Sequence, residues 1–333
     1  MENMRNIRTI AVIVAAGTGK RMGGTVKKQY LEIRGLPVLF YTIKAFEESK
    51  TDRIVIVTGK DEIDYVQKSI VEKYGFKKIE AVCAGGQERF DSVFEGLKII
   101  KRMNMSLNIA GVESTDIGGT TDIGENMDIG GTTDNEETMD IRGITNIEGT
   151  TDIRETANIE ESTDIRGITN IEESTDIRGT ADLRETAYKD TRADEVLVLV
   201  HDGVRPLATP ELINRVIDKA NETGACVTAV PEKDTVKMVE NGVITKTLDR
   251  NCLYRIQTPQ AFEFNMLYNS YEKMYEDMKI NQEKKEQLKK AVTDDAVLVE
   301  YYQKKQVAVV EGDYRNIKIT TPEDMIVADC YLQ

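Results

Sequence analysis

Residues 10–23 read Ile-Ala-Val-Ile-Val-Ala-Ala-Gly-Thr-Gly-Lys-Arg-Met-Gly, an unbroken apolar run that ends in a glycine-rich, cationic turn. A run of this kind, apolar at every position instead of at alternate ones, marks a strand covered on both faces. The glycines at 17, 19 and 23 let the backbone pass close to a ligand and aim N–H groups at an anion. Two phosphate-loop patterns do not fit. GxGxxG would need glycine at 22, where Met22 stands, and the Walker pattern would need Ser or Thr after Lys20, where Arg21 stands. What distinguishes the loop is its cations, Lys20, Arg21, Lys27 and Lys28, which suit a triphosphate.

Outward from this stretch, apolar runs alternate with amphipathic ones. Strands are predicted at Ile10–Ala16, Arg53–Thr58, Lys77–Cys83, Val196–His201, Cys226–Val230 and Val307–Glu311. Helices are predicted at Pro37–Ser49, Glu62–Tyr74, Glu88–Lys101, Pro210–Thr223, Asn265–Lys290 and Pro322–Leu332. This alternation is that of an α/β chain with a mostly parallel sheet, whose ligands bind at the carboxyl ends of the strands.

The predicted core is interrupted by a segment of a different character. Residues 116–187 are twelve hexads in one unbroken phase, from DIGGTT to DLRETA. They hold 19 Asp and Glu against 5 Arg and no Lys, which is −14; the other 261 residues hold 39 acidic and 39 basic groups. The whole net charge of −14 therefore belongs to the repeat. An apolar residue at the second position of each hexad from Ile117 to Leu183, except Asn135, has the spacing of a hexapeptide β-helix, three hexads to a coil. Low aromatic content and strong like charge equally suit a disordered tract. The division expected is 1–106 and 190–333 as one domain, with 107–189 inserted.

Composition excludes several functions. The four cysteines, Cys83, Cys226, Cys252 and Cys330, are far apart and His201 is the only histidine, so a zinc finger or Cys/His cage is excluded. Scattered thiols suit a reducing cytoplasm. No basic surface points to nucleic acid, and no apolar run nears the ~20 residues that cross a bilayer. There is no GxSxG, no Cys/His pair and no telling carboxylate dyad. Cations without a nucleophile fit phosphoryl or nucleotidyl transfer, where positioning and charge do the work. Asp202, at the end of a strand in Val198–Pro206, has the chemistry for Mg²⁺ or a ribose hydroxyl, and Arg205 that for a phosphate. His201 beside them reads as a packed residue ending a buried strand.

Ten motifs in order, AAGTGKRM (15–22), KKQY (27–30), GGQERFDSV (85–93), VHDGVRP (200–206), KDTVK (233–237), TLDRN (247–251), QTPQAF (257–262), TDDA (293–296), EGDYRNIKIT (311–320) and PED (322–324), resemble the 2-C-methyl-D-erythritol 4-phosphate cytidylyltransferases. The hexads have no counterpart in that pattern. Lys27 stands where proline is usual, and Gln87 where an Asp or similar residue often contacts the base. The resemblance implies a Rossmann-like nucleotidyltransferase sheet with an arm, about 231–258, that embraces a second subunit in a homodimer. It implies transfer of CMP from CTP to methylerythritol 4-phosphate, with Mg²⁺ at Asp202. Arg21 and Lys28 would steady the α-phosphate, and Arg250 and Lys318 would hold the attacking phosphate. Ala15, Ala16, Gly17, Gly86, Arg89 and Ser92 would bind substrate on the cytidine side, with Asp202, Gly203, Arg205, Thr235 and Thr258 completing the site. A cytidylyltransferase for ribitol 5-phosphate or another polyol phosphate shares the loop motifs, and an interaction scaffold built on the repeat is the more distant alternative.

The repeat has no recurring Lys, His or aromatic residue with which to build a site. Its charge is screened beyond ~8 Å at physiological salt. Replacing residues 107–189 by a short Gly/Ser linker is therefore expected to keep kcat/KM within a few-fold, and circular dichroism of the two proteins separates a lost β signal from lost coil. A deletion variant that folds but does not turn over would place the repeat in the site.

Overall fold

In the computed structural model, β1 (Arg8–Val14) is an inner strand of the sheet, flanked by parallel neighbours on both sides. Its alternate residues face opposite ways. Ile10 and Val12 join one apolar cluster, and Ala11 and Ile13 join another. This is why the run is apolar at every position: each face of the sheet carries its own helical layer. The structure describes residues 8–17, 19, 26–110, 139–141, 157–159 and 196–332.

The chain forms two units, Met1–Gly111 with Arg192–Gln333, and Val112–Thr191. In the first, β1 is followed by a small hairpin of β2 (Glu32–Ile33) and β3 (Leu36–Pro37), then α1 (Val38–Glu47), β4 (Arg53–Thr58), α2 (Ile63–Val66), β5 (Ile79–Ala84) and α3 (Arg89–Ala110). α2 continues into a wider turn over Gln67–Glu72. In the second unit, β6 (Met139–Ile141) and β7 (Ala157–Ile159) pair in parallel, Met139 opposite Ala157 and Ile141 opposite Ile159. Partners 18 residues apart (157 less 139) are three hexads apart, the spacing expected of one coil. The remaining hexads lie outside the described residues.

The first unit resumes with β8 (Val196–Asp202), α4 (Pro210–Thr223), β9 (Ala225–Pro231), β10 (Lys237–Glu240), β11 (Val243–Thr247), β12 (Tyr254–Glu263), α5 (Phe264–Ile280), α6 (Gln282–Ala291), α7 (Asp295–Gln303), β13 (Ala308–Glu311) and α8 (Pro322–Tyr331). The sheet order is β13-β9-β12-β8-β1-β4-β5. Helices α1, α2 and α4 cover one face through Leu39, Phe46, Val66, Ile213 and Val216. Helices α3, α5 and α7 cover the other through Phe94, Leu97, Tyr271, Met274 and Leu298. β8 begins at Val196 opposite Arg8, the amino end of β1, so the chain re-enters the sheet away from the carboxyl ends.

Two expectations are corrected. The helix predicted over Asn265–Lys290 is two helices. Asn281 is extended (φ −162°, ψ 168°), and its side chain accepts the Lys284 N–H at 2.8 Å to cap α6. The polar stretch around Gln257-Thr258-Pro259-Gln260 is a central strand, β12, antiparallel to both β8 and β9. Pro259 offers no N–H to a ladder, and the β12–β9 register slips between Gln257 and Gln260. The sheet is thus mostly parallel with one reversed strand.

Helix α3 packs tightly against the sheet at Gly96, where a Cβ would lie 2.6 Å from Val12 Cγ1 and 3.1 Å from Val57 Cγ2. In an exposed helix Gly→Ala gains about 1 kcal/mol. Here Gly96→Ala forces two stiff valines in a packed core, and a net loss of about 1–2 kcal/mol is expected from urea unfolding. A gain in stability would show that the helix can lift off the sheet.

Candidate active site

The carboxyl ends of β1, β5 and β8 converge. The Gly203 N–H donates to Val14 O at 2.8 Å, and the Gly85 N–H to Thr58 O at 2.7 Å. A Cβ on Gly85 would lie 2.6 Å from both Ala16 Cβ and Ser92 Oγ, so only glycine lets the β5 loop close on the β1 loop. The Gly86 N–H donates to Ser92 Oγ at 3.2 Å. The structure therefore brings Ala15, Ala16, Gly17, Gly86 and Ser92 to one corner. The buried Gln29 amide holds that corner open, donating to Ala15 O at 2.6 Å and Gly17 O at 3.2 Å.

Beside the corner lies Asp202, 6% exposed and ringed by cations. Its Oδ1 receives Arg89 Nε at 3.2 Å. Its Oδ2 receives Lys318 Nζ at 3.0 Å and Arg205 Nε at 3.3 Å. Its N–H donates to Thr258 Oγ1 at 3.1 Å. Burial alone would raise the Asp202 carboxyl, but Arg89, Lys318 and Arg205 together hold it well below the usual carboxylate range. Arg205 is fixed in turn by donating to Asn316 O at 2.7 Å, and the Asn316 amide donates to Thr258 O at 2.9 Å.

Arg89 has a second carboxylate. Its Nη2 donates to Asp295 Oδ2 at 2.8 Å, and Asp295 Oδ1 accepts the Tyr271 hydroxyl at 2.6 Å. Asp295 is fully buried at the start of α7, and its N–H donates to Gln260 Oε1 at 3.1 Å. Burial opposes the charge on Arg89, but Asp295 and Asp202 outweigh it and raise its affinity for the proton. Three cations (Arg89, Arg205, Lys318) thus face two carboxylates (Asp202, Asp295), leaving one positive charge in excess. The most exposed of the three is Lys318, at 36% of its side chain. Lys28 comes to the same place, donating from Nζ to Ile319 O at 3.0 Å.

Other expected residues fall elsewhere. Arg21 lies outside the described residues. Thr235 and Arg250 are exposed on the arm around the β10–β11 hairpin, and Arg250 Nη1 donates to Lys233 O at 3.3 Å. Among the described residues no contact joins Arg250 to Lys318, so one chain alone does not form the phosphate clamp assigned to this pair. Lys27, counted among the loop cations, is paired with Glu62 at 2.8 Å. Asp202 does not fit the metal role expected of it: both oxygens already face cations, and an added Mg²⁺ would meet all three. Among the described residues no group of three or more His, Cys, Asp or Glu side chains could hold a metal ion. Asp295, Asn316, Gln29 and Glu62 were missing from the expected site. The first three stand inside quoted motifs, but only the fold shows what they hold.

His201 is fully buried. Its Nδ1 shares a hydrogen bond with Thr258 Oγ1 at 3.0 Å, its Nε2 has no partner, and Phe46 packs at 5.0 Å between ring centroids. Burial lowers its pKa to about 3, so it is neutral near pH 7 and packed. Below pH 6.5 the unfolded state takes a proton on this group that the folded state refuses until about pH 3. Stability therefore falls as pH drops through this window, by about 1 kcal/mol between pH 6 and pH 5. Urea midpoints should show that slope in the parent and a flatter one in His201→Gln; equal slopes would mean that His201 can take up its proton while the protein stays folded.

The family described as 2-C-methyl-D-erythritol 4-phosphate cytidylyltransferase matches residues 9–109 and 160–333. Relatives bearing that name include a protein of Lachnoclostridium phytofermentans, 33% identical over 98% of this chain and 97% of its own. Another, of Geobacter metallireducens, is 31% identical over 97% of each chain. The solved structure of 4-diphosphocytidyl-2C-methyl-D-erythritol synthase from Anaerococcus prevotii matches with a TM-score of 0.59 at 28% identity, over 98% of this chain and 96% of that one. The ordered motifs, the mixed sheet and these matches agree, and the chain belongs to the 2-C-methyl-D-erythritol 4-phosphate cytidylyltransferase family.

Proposed function

We propose that the cleft at the carboxyl ends of β1, β5 and β8 carries out the family's reaction through the cations just described. The protein is a nucleotidyltransferase that transfers CMP from CTP to 2-C-methyl-D-erythritol 4-phosphate, giving 4-diphosphocytidyl-2-C-methyl-D-erythritol and pyrophosphate. An oxygen of the acceptor phosphate attacks the α-phosphorus. The new P–O bond forms as the bond to the β-phosphate oxygen breaks, and pyrophosphate carries away the electron pair. The nucleophile is already an anion, so no base is needed, which agrees with a site whose one histidine is buried and neutral. The observation that carries the reading is the excess of cations around Asp202, with Lys28 beside them.

In this reading Lys28 and Arg21 steady the charge that builds at the α-phosphate. Lys318 takes the acceptor phosphate, with Asp202, Arg205 and Thr258 fixing its direction, and Arg89 acts through Asp202. Ala15, Ala16, Gly17, Gly86 and Ser92 take the cytidine. Arg250 and Thr235 enter from the arm of a second copy. The exposed apolar residues Met238, Val239, Val243, Ile244, Tyr254 and Ile256 on that arm support a homodimer that buries them. Four free cysteines support a reducing compartment, and among the described residues no helix is long and apolar enough to cross a membrane.

Lys28→Ala is expected to lower kcat ~100-fold with little change in CTP binding. Arg250→Ala and Lys318→Ala should each raise KM for the acceptor phosphate and leave KM for CTP nearly unchanged. Because the arm is assigned to the partner's site, mixing these two variants should regain about a quarter of parental activity through mixed dimers. No recovery on mixing would place Arg250 in its own chain's site or outside any site. Faster turnover with ribitol 5-phosphate than with methylerythritol 4-phosphate would overturn the choice of acceptor.

A further inference from the structure

Lys28 sits in a four-residue segment, Lys27–Tyr30, whose two ends are held by one carboxylate. Glu62, just before α2, takes Lys27 Nζ on Oε1 at 2.8 Å. Its Oε2 accepts the Gly59 N–H at 3.2 Å and lies 3.0 Å from the Tyr30 hydroxyl and 3.2 Å from the Thr58 hydroxyl, which are themselves 2.7 Å apart. The two hydroxyls have one proton each, so this triangle holds two hydrogen bonds, and every assignment of them ties Tyr30 to Glu62 directly or through Thr58. Glu62 is thus tied both to the end of β4 and to each flank of Lys28. Its side chain is 18% exposed, which distinguishes it from the solvated surface pairs that contribute little.

The segment itself is short. It has one 3-10 turn, Lys28–Tyr30, and its two neighbours, Lys27 and Leu31, are extended. Lys27 has φ −66° and ψ 141°, the φ that a proline ring would impose. Its N–H makes no hydrogen bond among the described residues, so nothing in the backbone requires a lysine there. The chain reaches with an ion pair the conformation that a ring would fix covalently. Between the two anchors, Gln29 reaches to the Ala15 and Gly17 carbonyls and Lys28 to Ile319 O. Any slack at Lys27 or Tyr30 would therefore pass directly to the Lys28 ammonium.

We propose that Glu62 is a positioning residue for Lys28, setting the ammonium of Lys28 by clamping Lys27 and Tyr30 on either side of it. The proposal rests on the reading of Lys28 as the cation at the α-phosphate. Glu62 acts through the segment alone.

The test uses the full chain. Glu62→Gln keeps the size and an acceptor oxygen but removes the charge that holds Lys27. It is expected to lower kcat about tenfold, since small misplacements of a catalytic group are costly. KM for CTP and for the acceptor phosphate should stay within about twofold. Adding Lys27→Pro to Glu62→Gln should restore kcat to within about threefold of the parent, because the ring sets φ near −65°. A purely structural Glu62 would lower Tm without this split between kcat and KM and without rescue by proline. Parental kcat in Glu62→Gln overturns the proposal, and so does a kcat defect that Lys27→Pro leaves in place. Lys28→Ala run alongside separates the two levels. An inactive Lys28→Ala with a normal Glu62→Gln sinks only the positioning role, whereas a fully active Lys28→Ala sinks the reading beneath it.

Discussion

One buried carboxylate organises the site. Asp202 at the end of β8 is shared by Arg89, Arg205 and Lys318, and each of those groups arrives on a different part of the chain. A buried charge is tolerated only when paired and hydrogen-bonded, and cations held this close repel one another unless an anion stands between them. Asp202 meets both requirements at once. It permits three cations to gather in a low-dielectric corner and leaves the array with positive charge to spare for a phosphate. Removing it would leave those cations without their common partner while every apolar contact of the sheet remained intact.

The second requirement is that this array stay rigid, and the sheet supplies it in layers. β12 runs antiparallel beside β8 and presents Thr258 to the Asp202 N–H and to His201. α7 begins at Asp295, which takes the far side of the Arg89 guanidinium and the Tyr271 hydroxyl. The loop before α8 returns Asn316 to Arg205 and to the β12 carbonyl, and brings Lys318 and Ile319 to the cleft. Apart from Lys318, these groups serve as supports. They hold dipoles and charges in place before reaction, which is the form of catalysis available to a site with cations and no nucleophile.

The arm works under the opposite constraint. β10 and β11 stand off the sheet as a two-stranded ribbon with exposed apolar side chains, and an isolated hairpin of this kind has marginal stability in water. In the proposed dimer, a second copy covering that ribbon buries its apolar face and brings Arg250 to the acceptor side of a neighbouring cleft.

The parallel strands were legible in the sequence because burial on both faces demands an apolar residue at every position. β4 therefore has the predicted bounds, and β1, β8 and β9 lie within two residues of theirs. The edge strands β5 and β13, which are not buried on both faces, also lie within two residues, and α4 matches between its Thr209 cap and Gly224. The motifs of the proposed site stood out in the sequence because glycines and cations cluster at strand ends whatever the rest of the chain does. β12 was not legible: Pro259 and its glutamine neighbours look like a turn, and only pairing with β8 and β9 on both sides makes them a strand. The roles of Asp295, Gln29 and Glu62 were equally hidden, since each partners a residue 14 to 206 positions away or sits outside every motif. Sequence alone determined where apolar and charged groups recur along the chain, because local pattern and burial set that. Which carboxylate meets which cation was decided only by the tertiary structure, because ion pairing depends on distances of a few ångströms between segments that sequence leaves far apart.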